Sequence, residues 1–147
     1  ICSTGGYMLE HDVILSKISI IKNCLNTIKK ATQLDSDKLD DMMVQDVFVL
    51  NLQRAIQAAI DMANVVISQR GLKLPASYRQ CFMILRDDQV IDAELCEKMV
   101  KMTGFRNIAV HDYQQIRVVI LKQILEHHLV DLENFYSRIY ELTQDFD

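Results

Sequence analysis

One short segment of the 147-residue chain contains side chains that could perform chemistry on a phosphate. Residues 104–113 place Arg106, Asn107, His111 and Tyr113 within eight positions at the end of an otherwise apolar stretch. A guanidinium binds phosphate through a planar set of donors and keeps its charge, and an imidazole can exchange a proton near pH 7. Together they suit cleavage of RNA by the neighbouring 2′-hydroxyl, which requires proton transfer and stabilisation of a charged phosphorane but no metal ion.

The spacing of Arg106 and His111 limits how these two side chains could meet. Residues five apart in a straight α-helix point about 140° away from each other. Asn107 and His111, four apart, share a helix face, and so do Arg106 and Tyr113, seven apart. Either the backbone breaks near Val110, or a second copy of the chain completes the site. A symmetric dimer would also supply two histidines, one to accept a proton and one to donate it.

The elements that must position this segment are predicted to be helices. Apolar residues recur with helical spacing nearly everywhere, and strand-like alternation is absent. The predicted helices span about 10–32, 38–70, 77–87, 92–108 and 114–145, the last in two pieces with a bend near residues 127–129. This pattern indicates an all-α, up-and-down bundle of four to five helices. Many alanines around 55–63 favour close packing of the long helix against another helix, as in a homodimer.

Helix ends and core positions follow from the same pattern. Asp35 and Ser36 are predicted N-caps of the long helix and Asp92 of a later one, while Gly71 should end the long helix. The predicted core positions lie on one stripe in each of three segments: Ile14, Ile18, Ile21, Leu25 and Ile28; Val44, Phe48, Leu52, Ala55, Ala59, Met62 and Val66; and Leu125, Leu129, Leu132, Tyr136 and Ile139.

The distribution of charge singles out the same part of the chain. The net charge of −4 has the wrong sign for a general nucleic-acid-binding protein. Residues 97–122 nevertheless contain five basic side chains and two acidic ones, so the net charge of this window is +3 and that of the remaining chain is −7. The basic residues are Lys98, Lys101, Arg106, Arg117 and Lys122, and the acidic residues are Glu97 and Asp112. Any contact with phosphate is therefore expected in this window.

Composition excludes several classes of protein. No apolar run approaches the roughly 18 to 20 residues that cross a bilayer, and the N-terminus lacks the pattern of a secretory signal. The four cysteines are scattered, which argues against a zinc site and a disulfide framework and favours a reducing cytoplasm; Cys24 and Cys96 have the apolar flanks of core thiols. Residues 1–7 match no predicted element, so we expect the natural chain to begin at Met8 and residues 8–147 to form one domain.

The run Arg106-x4-His111-x-Tyr113 resembles the motif of the HEPN superfamily, in which an arginine and a histidine are separated by four to six residues. Asn107 directly after the arginine and the terminal Tyr113 are similar to the HepT-type ribonuclease toxins in particular. The segments DVILSKISIIKNCL and VLNLQRAIQAAIDMAN also resemble that family. The resemblance covers nearly the whole chain from Met8.

The resemblance implies the toxin of a type VII-like toxin–antitoxin system, a metal-independent and cofactor-free ribonuclease whose cleft lies between two copies. It assigns the scissile phosphate to Arg106, general acid or base chemistry to His111, and orientation of the phosphate or the histidine to Asn107. The implied partner is a minimal nucleotidyltransferase antitoxin of the MntA type, which adds AMP units to Tyr113. Negatively charged nucleotides beside the phosphate pocket would fill it and repel RNA.

A polar stripe on the long helix has two interpretations. Asn51, Arg54 and Asp61 could line the cleft and support Arg106 or His111 through hydrogen bonds. They could equally form an exposed or dimer-facing stripe without a role in the chemistry.

Other functions remain open from the residues alone. Arg106 and His111 could be a helix-end arginine and a histidine bonded to backbone, and Tyr113 could pack over the first turn of the next helix. The chain could then be a non-catalytic nucleotide- or substrate-binding subunit of a two-chain nucleotidyltransferase, or a purely structural helical dimer. Nucleotide binding without RNA cleavage would favour the first of these alternatives.

Overall fold

Six α-helices and two short 3-10 turns make up the part of the chain that the computed structural model describes, which is residues 2–144 for the backbone and 10–144 for the side chains. In chain order the elements are α1 (Cys2–Thr32), a 3-10 turn (Ser36–Asp40), α2 (Met42–Gln69), α3 (Tyr78–Asp87), α4 (Ala93–His111), a 3-10 turn (Tyr113–Gln115), α5 (Val118–His127) and α6 (Leu129–Gln144). These residues contain no strand, so the all-α prediction is confirmed.

Several helix boundaries differ from the prediction. Helix α2 begins at Met42 rather than about 38, because Asp35 caps the preceding 3-10 turn and Asp41 caps α2, accepting a hydrogen bond from the Met43 amide at 2.8 Å. Helix α1 begins at Cys2 rather than about 10, since its apolar stripe starts only at Ile14 and periodicity could not locate the earlier turns. The natural start at Met8 stays a prediction, and the side chains of residues 1–9 lie outside the described part.

The number of helices also differs. Residues 2–144 form six helices rather than four to five, because the predicted bend near residues 127–129 separates α5 from α6 at His128. Helix α4 continues to His111 instead of ending near residue 108. Other ends agree with the sequence: Asp92 caps α4, accepting from the Leu95 amide at 2.7 Å, and Gly71 adopts a left-handed φ of 66° just after α2.

The core is built along the predicted apolar stripes. All five stripe positions of α1 are buried, and so are nearly all the predicted stripe positions of α2, α5 and α6. The exceptions are Val44 and Tyr136, and both side chains are half-buried. Helices α1 and α2 run antiparallel, because Lys17 in the middle of α1 pairs with Asp61 late in α2, whereas Cys24 further along α1 lies near Arg54 earlier in α2. This pair of long helices forms one wall of the bundle; α4 packs against α2, and α6 packs against both.

The remaining helices close the core and position the end of α4. The rings of Phe82 in α3 and Phe135 in α6 pack edge to face with centroids 5.3 Å apart. Cys24, Cys81 and Cys96 are buried free thiols, which confirms the prediction for the first and last of them. Among the described helices, none combines the length and the apolar character needed to span a membrane.

Candidate active site at the end of helix α4

Arg106 is held by three neutral groups on different parts of the fold. Its Nε donates to Oε1 of Gln57 on α2 at 3.1 Å, and its Nη1 donates to Oδ1 of the adjacent Asn107 at 3.2 Å. The guanidinium carbon lies 4.8 Å from the ring centre of Tyr78 at the start of α3, a cation–π distance. Two of the five N–H donors are therefore used within the chain, and three are left for a ligand.

The positive charge of Arg106 has no acidic partner among the described side chains. Three other basic residues of the +3 window form ion pairs: Lys98 with Glu94 at 3.2 Å, Lys101 with Glu97 at 3.7 Å and Lys122 with Asp40 at 2.9 Å. Within residues 10–144, Arg106 and Arg117 are the members of the window left without such a pair. A fixed guanidinium with an uncompensated charge is the arrangement that binds a phosphate.

A relay of side chains orients Gln57 towards Arg106. The Gln57 Nε2 donates to Oδ1 of Asp61 at 3.0 Å, and Oδ2 of Asp61 lies 3.0 Å from Nζ of Lys17 on α1. Because the amide nitrogen is directed to a carboxylate, the amide oxygen must face the guanidinium. Asp61, a predicted supporting residue, thus reaches Arg106 through one intermediate side chain; its role in activity stays a prediction.

The other two predicted supporting residues lie elsewhere. The Asn51 amide donates to the Val47 carbonyl of its own helix at 2.8 Å. Arg54 lies near Cys24 on α1, where burial raises the pKa of the thiol and the arginine charge partly offsets that rise. Neither makes a hydrogen bond to Arg106 or His111 in the part of the chain that the structure describes. Asn51 is half-buried and Arg54 is exposed, and the supporting role of both residues stays a prediction.

The sequence interpretation missed Gln57 and Tyr78. A signal for Gln57 was present, since it lies three residues after Arg54 and four before Asp61, on the predicted polar stripe. Tyr78 gave no signal, because its contact with Arg106 depends on how α3 and α4 pack.

His111 is the last residue of α4, and its side chain is exposed. It makes no hydrogen bond or ion pair with the described residues, so both ring nitrogens are accessible for proton exchange. The helix is continuous from Ala93, and the Asp112 amide donates to the Ile108 carbonyl at 2.8 Å at its end. The alternative of a backbone break near Val110 is therefore wrong.

An unbroken helix separates the directions of the two motif side chains. Arg106 faces α2 and α3, and His111, five residues later, points about 140° away from it. Asn107 lies between them: its oxygen accepts from Arg106, and its position four residues before His111 puts it on the histidine's side of the helix. Within one copy of the chain, the two motif side chains therefore leave the helix on different sides.

Tyr113 lies in the 3-10 turn directly after α4 and contacts the start of α2. Its hydroxyl donates to Oδ1 of Asp46, and 44 % of the side chain remains exposed. Partial burial, followed by the hydrogen bond to Asp46 and the charge of that carboxylate, raises the pKa of Tyr113 to about 12. The phenol is therefore protonated at neutral pH. The structure brings Tyr113 to α2 rather than over the first turn of α5.

The donor groups of this site are a guanidinium, an imidazole, amides and a phenol. Among the described residues, no three His, Cys, Asp or Glu side chains lie close enough together to ligate a metal ion.

The amino-acid sequence of this chain matches a family model and the sequences of known proteins. The model of the family described as ribonuclease HepT-like matches residues 21–139, which include the whole motif. The mRNA nuclease HepT of Shewanella oneidensis is 40 % identical over 129 residues, which cover 88 % of this chain and 97 % of that protein.

Two solved structures share the fold over the same region. A tri-AMPylated HEPN toxin of Shewanella oneidensis in complex with an MNT antitoxin has a TM-score of 0.84 and 39 % identity, covering 88 % of this chain and 98 % of that one. A toxin–antitoxin complex with AMP-PNP has the same TM-score and coverage at 38 % identity. From the family match and the close relatives, this chain belongs to the HepT-like ribonuclease family.

Proposed function

We propose that this chain is the ribonuclease toxin of a toxin–antitoxin pair, that it cleaves RNA without a metal ion at a site shared by two copies, and that AMP added to Tyr113 by a nucleotidyltransferase antitoxin neutralises it. The observation that carries the proposal is the fixed guanidinium of Arg106, whose charge has no acidic partner in the described residues, on the same helix as the unbonded imidazole of His111.

The proposed chemistry needs only these groups and the RNA. One His111 takes the proton of the 2′-hydroxyl as its oxygen attacks the adjacent phosphorus. The bond from phosphorus to the 5′-oxygen breaks, and a protonated His111, of the same or the second copy, gives that oxygen a proton. Arg106 stabilises the negative charge that accumulates on the phosphoryl oxygens through its remaining N–H donors. The products are a cyclic 2′,3′-phosphate and a 5′-hydroxyl.

Two observations favour a second copy as the completing partner. Arg106 and His111 leave α4 in different directions in one chain, and a second chain that supplies one of them would complete the site. Exposed apolar side chains also lie on α2 beside the Tyr113–Asp46 contact: Met43, Val47 and Leu50 are spaced i, i+4, i+7 on one stripe. An exposed apolar stripe next to a half-complete site suits an interface.

Two arguments support the proposed antitoxin: a related toxin has been solved in AMPylated form, and an AMP group would carry negative charge towards Arg106. The Shewanella toxin, which is 39 % identical, has been solved in tri-AMPylated form with its MNT antitoxin. Tyr113 follows the motif closely and keeps its side chain partly exposed. An AMP group on Tyr113 would bring a negative phosphate to the region of Arg106 and compete with RNA. The RNA substrate and the ATP that such a partner consumes would place this activity in the cytoplasm.

Replacing Tyr113 by phenylalanine is expected to make the toxin resistant to its antitoxin. The variant lacks the hydroxyl that accepts AMP but keeps Arg106 and His111, so it should cleave RNA with or without the partner. The measurement is the intact mass and the RNA cleavage of each protein after incubation with an MntA-type nucleotidyltransferase, ATP and Mg²⁺. Wild-type protein should gain mass in steps of one AMP and lose activity.

Tyr140→Phe is the matched control, because Tyr140 on α6 is 45 % exposed, like Tyr113. It should behave as wild type. Mass increments on Tyr113→Phe, or an unmodified wild type that the partner still inhibits, would contradict this part of the proposal. Absence of RNA cleavage by the unmodified wild type, together with nucleotide binding, would favour the nucleotide-binding alternative instead.

A further inference from the structure

The carboxylate of Asp46 contacts Tyr113 and has no place in the ribonuclease chemistry. Asp46 lies in the second turn of α2 and accepts the hydrogen bond of the Tyr113 hydroxyl. We infer that Asp46 is the proton acceptor when a nucleotidyl group is transferred to Tyr113, so that the toxin supplies part of the chemistry of its own inactivation. This inference rests on the proposed function, since it concerns the modification proposed there.

The acidic residues around the start of α2 have separate roles, which leaves Asp46 available. Asp41 caps the helix, and Asp40 and Asp37 lie 2.9 and 4.0 Å from Nζ of Lys122. Within residues 10–144, Asp46 forms no ion pair, and its one hydrogen bond is with Tyr113. The carboxylate of Asp46 therefore has no contact among the described residues that competes with the one to Tyr113.

The phenol needs such an acceptor before it can react. Because the pKa of Tyr113 is raised to about 12, only about one molecule in 10⁵ would carry a phenolate at pH 7. A neutral phenol attacks phosphorus poorly, and a base within hydrogen-bond distance can remove the proton as the new bond forms. Asp46 already occupies that distance in the unmodified chain.

The transfer step balances with a nucleoside triphosphate supplied by the partner. The phenol oxygen of Tyr113 bonds to the α-phosphorus, the bond from that phosphorus to the bridging oxygen breaks, and pyrophosphate leaves. The phenol proton moves to Oδ1 of Asp46 and from there to solvent, which reaches both side chains because each is exposed. No electron donor or acceptor is needed.

The test compares Asp46→Asn with wild type in the full-length chain. Asparagine keeps an oxygen that can accept the hydrogen bond and hold Tyr113, but an amide does not accept the proton. The measurement is the rate of the first AMP addition in a single turnover, followed by intact mass with an MntA-type nucleotidyltransferase, ATP and Mg²⁺. The Asn variant should be slower by about 10²-fold or more, with unchanged affinity for the partner.

Three comparisons give this test its specificity. Asp46→Glu should recover part of the rate, because it restores a carboxylate, and Asp40→Asn should match wild type. RNA cleavage by Asp46→Asn should also match wild type, which shows that the fold is retained. Equal AMP-addition rates in wild type and Asp46→Asn would overturn the inference alone, as would a slower rate explained by weaker partner binding. A wild type that gains no AMP would overturn the proposed regulation and this inference with it.

Discussion

Replacing His111 by alanine is expected to lower the rate of RNA cleavage by about 10²- to 10⁴-fold, the usual contribution of a positioned general acid or base. The loss should be chemical rather than structural, because the imidazole is exposed and bonds to none of the described residues. The free energy of unfolding should therefore change by no more than about 0.5 kcal/mol. The measurement is the single-turnover cleavage rate of a single-stranded RNA with EDTA present.

His127→Ala provides the matched control for this variant. His127 also ends a helix and is exposed, but it lies at the end of α5, outside the motif. The His127→Ala variant should cleave RNA at the wild-type rate. Full activity of His111→Ala, or an equal loss in His127→Ala, would remove His111 from the proposed chemistry.

Replacing Arg106 by alanine is expected to lower the same rate by about 10²- to 10³-fold, as removal of a donor that stabilises the charged transition state does in other enzymes. Arg106→Lys should recover only part of this loss. An ammonium carries the charge, but it does not reproduce the planar set of donors or the combined contact with Gln57 and Tyr78. The measurement is again the single-turnover rate, now at saturating RNA.

Arg117→Ala is the control for the effect of charge alone. Arg117 lies in the same basic window and likewise has no ion pair among the described side chains, but it is outside the motif. Its loss should raise the RNA concentration needed for half-maximal rate and leave the saturated rate unchanged. An Arg106→Ala variant that also keeps its saturated rate and only needs more RNA for half-maximal rate would mean that Arg106 contributes only general attraction for RNA.

Local patterns in the sequence were enough to predict the helices and most of their buried faces. The stripes from Ile14 to Ile28 and from Phe48 to Val66 are buried because spacing along one helix determines which side chains share a face. The boundaries were less accurate where the signals were ambiguous. Asp35 and Asp41 are both good N-caps, and the sequence does not reveal that the first belongs to a 3-10 turn.

The extent of α4 was misjudged for a similar reason. The predicted range of about 92–108 ended three residues too early, and the helix continues to His111. Its continuity excludes the backbone break near Val110, since a helix without a break keeps Arg106 and His111 on different sides.

The features of the site that the sequence did not predict are contacts between residues far apart in the chain. Gln57 meets Arg106 across 49 residues, and Asp46 meets Tyr113 across 67. Such pairs are determined by the packing of α2 against the end of α4, which no local pattern records. Asp61 was assigned to the polar stripe of the long helix, whereas Gln57 on the same stripe was overlooked.

Mixing two inactive variants tests most directly whether Arg106 of one copy works with His111 of another. Arg106→Ala and His111→Ala are purified separately, unfolded together and refolded so that mixed dimers form, and RNA cleavage is compared with each variant treated alone. Cooperation across the dimer predicts that the mixture regains activity well above either parent, because mixed dimers contain one intact guanidinium and one intact imidazole on different chains. A mixture as inactive as its parents, under conditions that restore refolded wild type, would contradict the shared site.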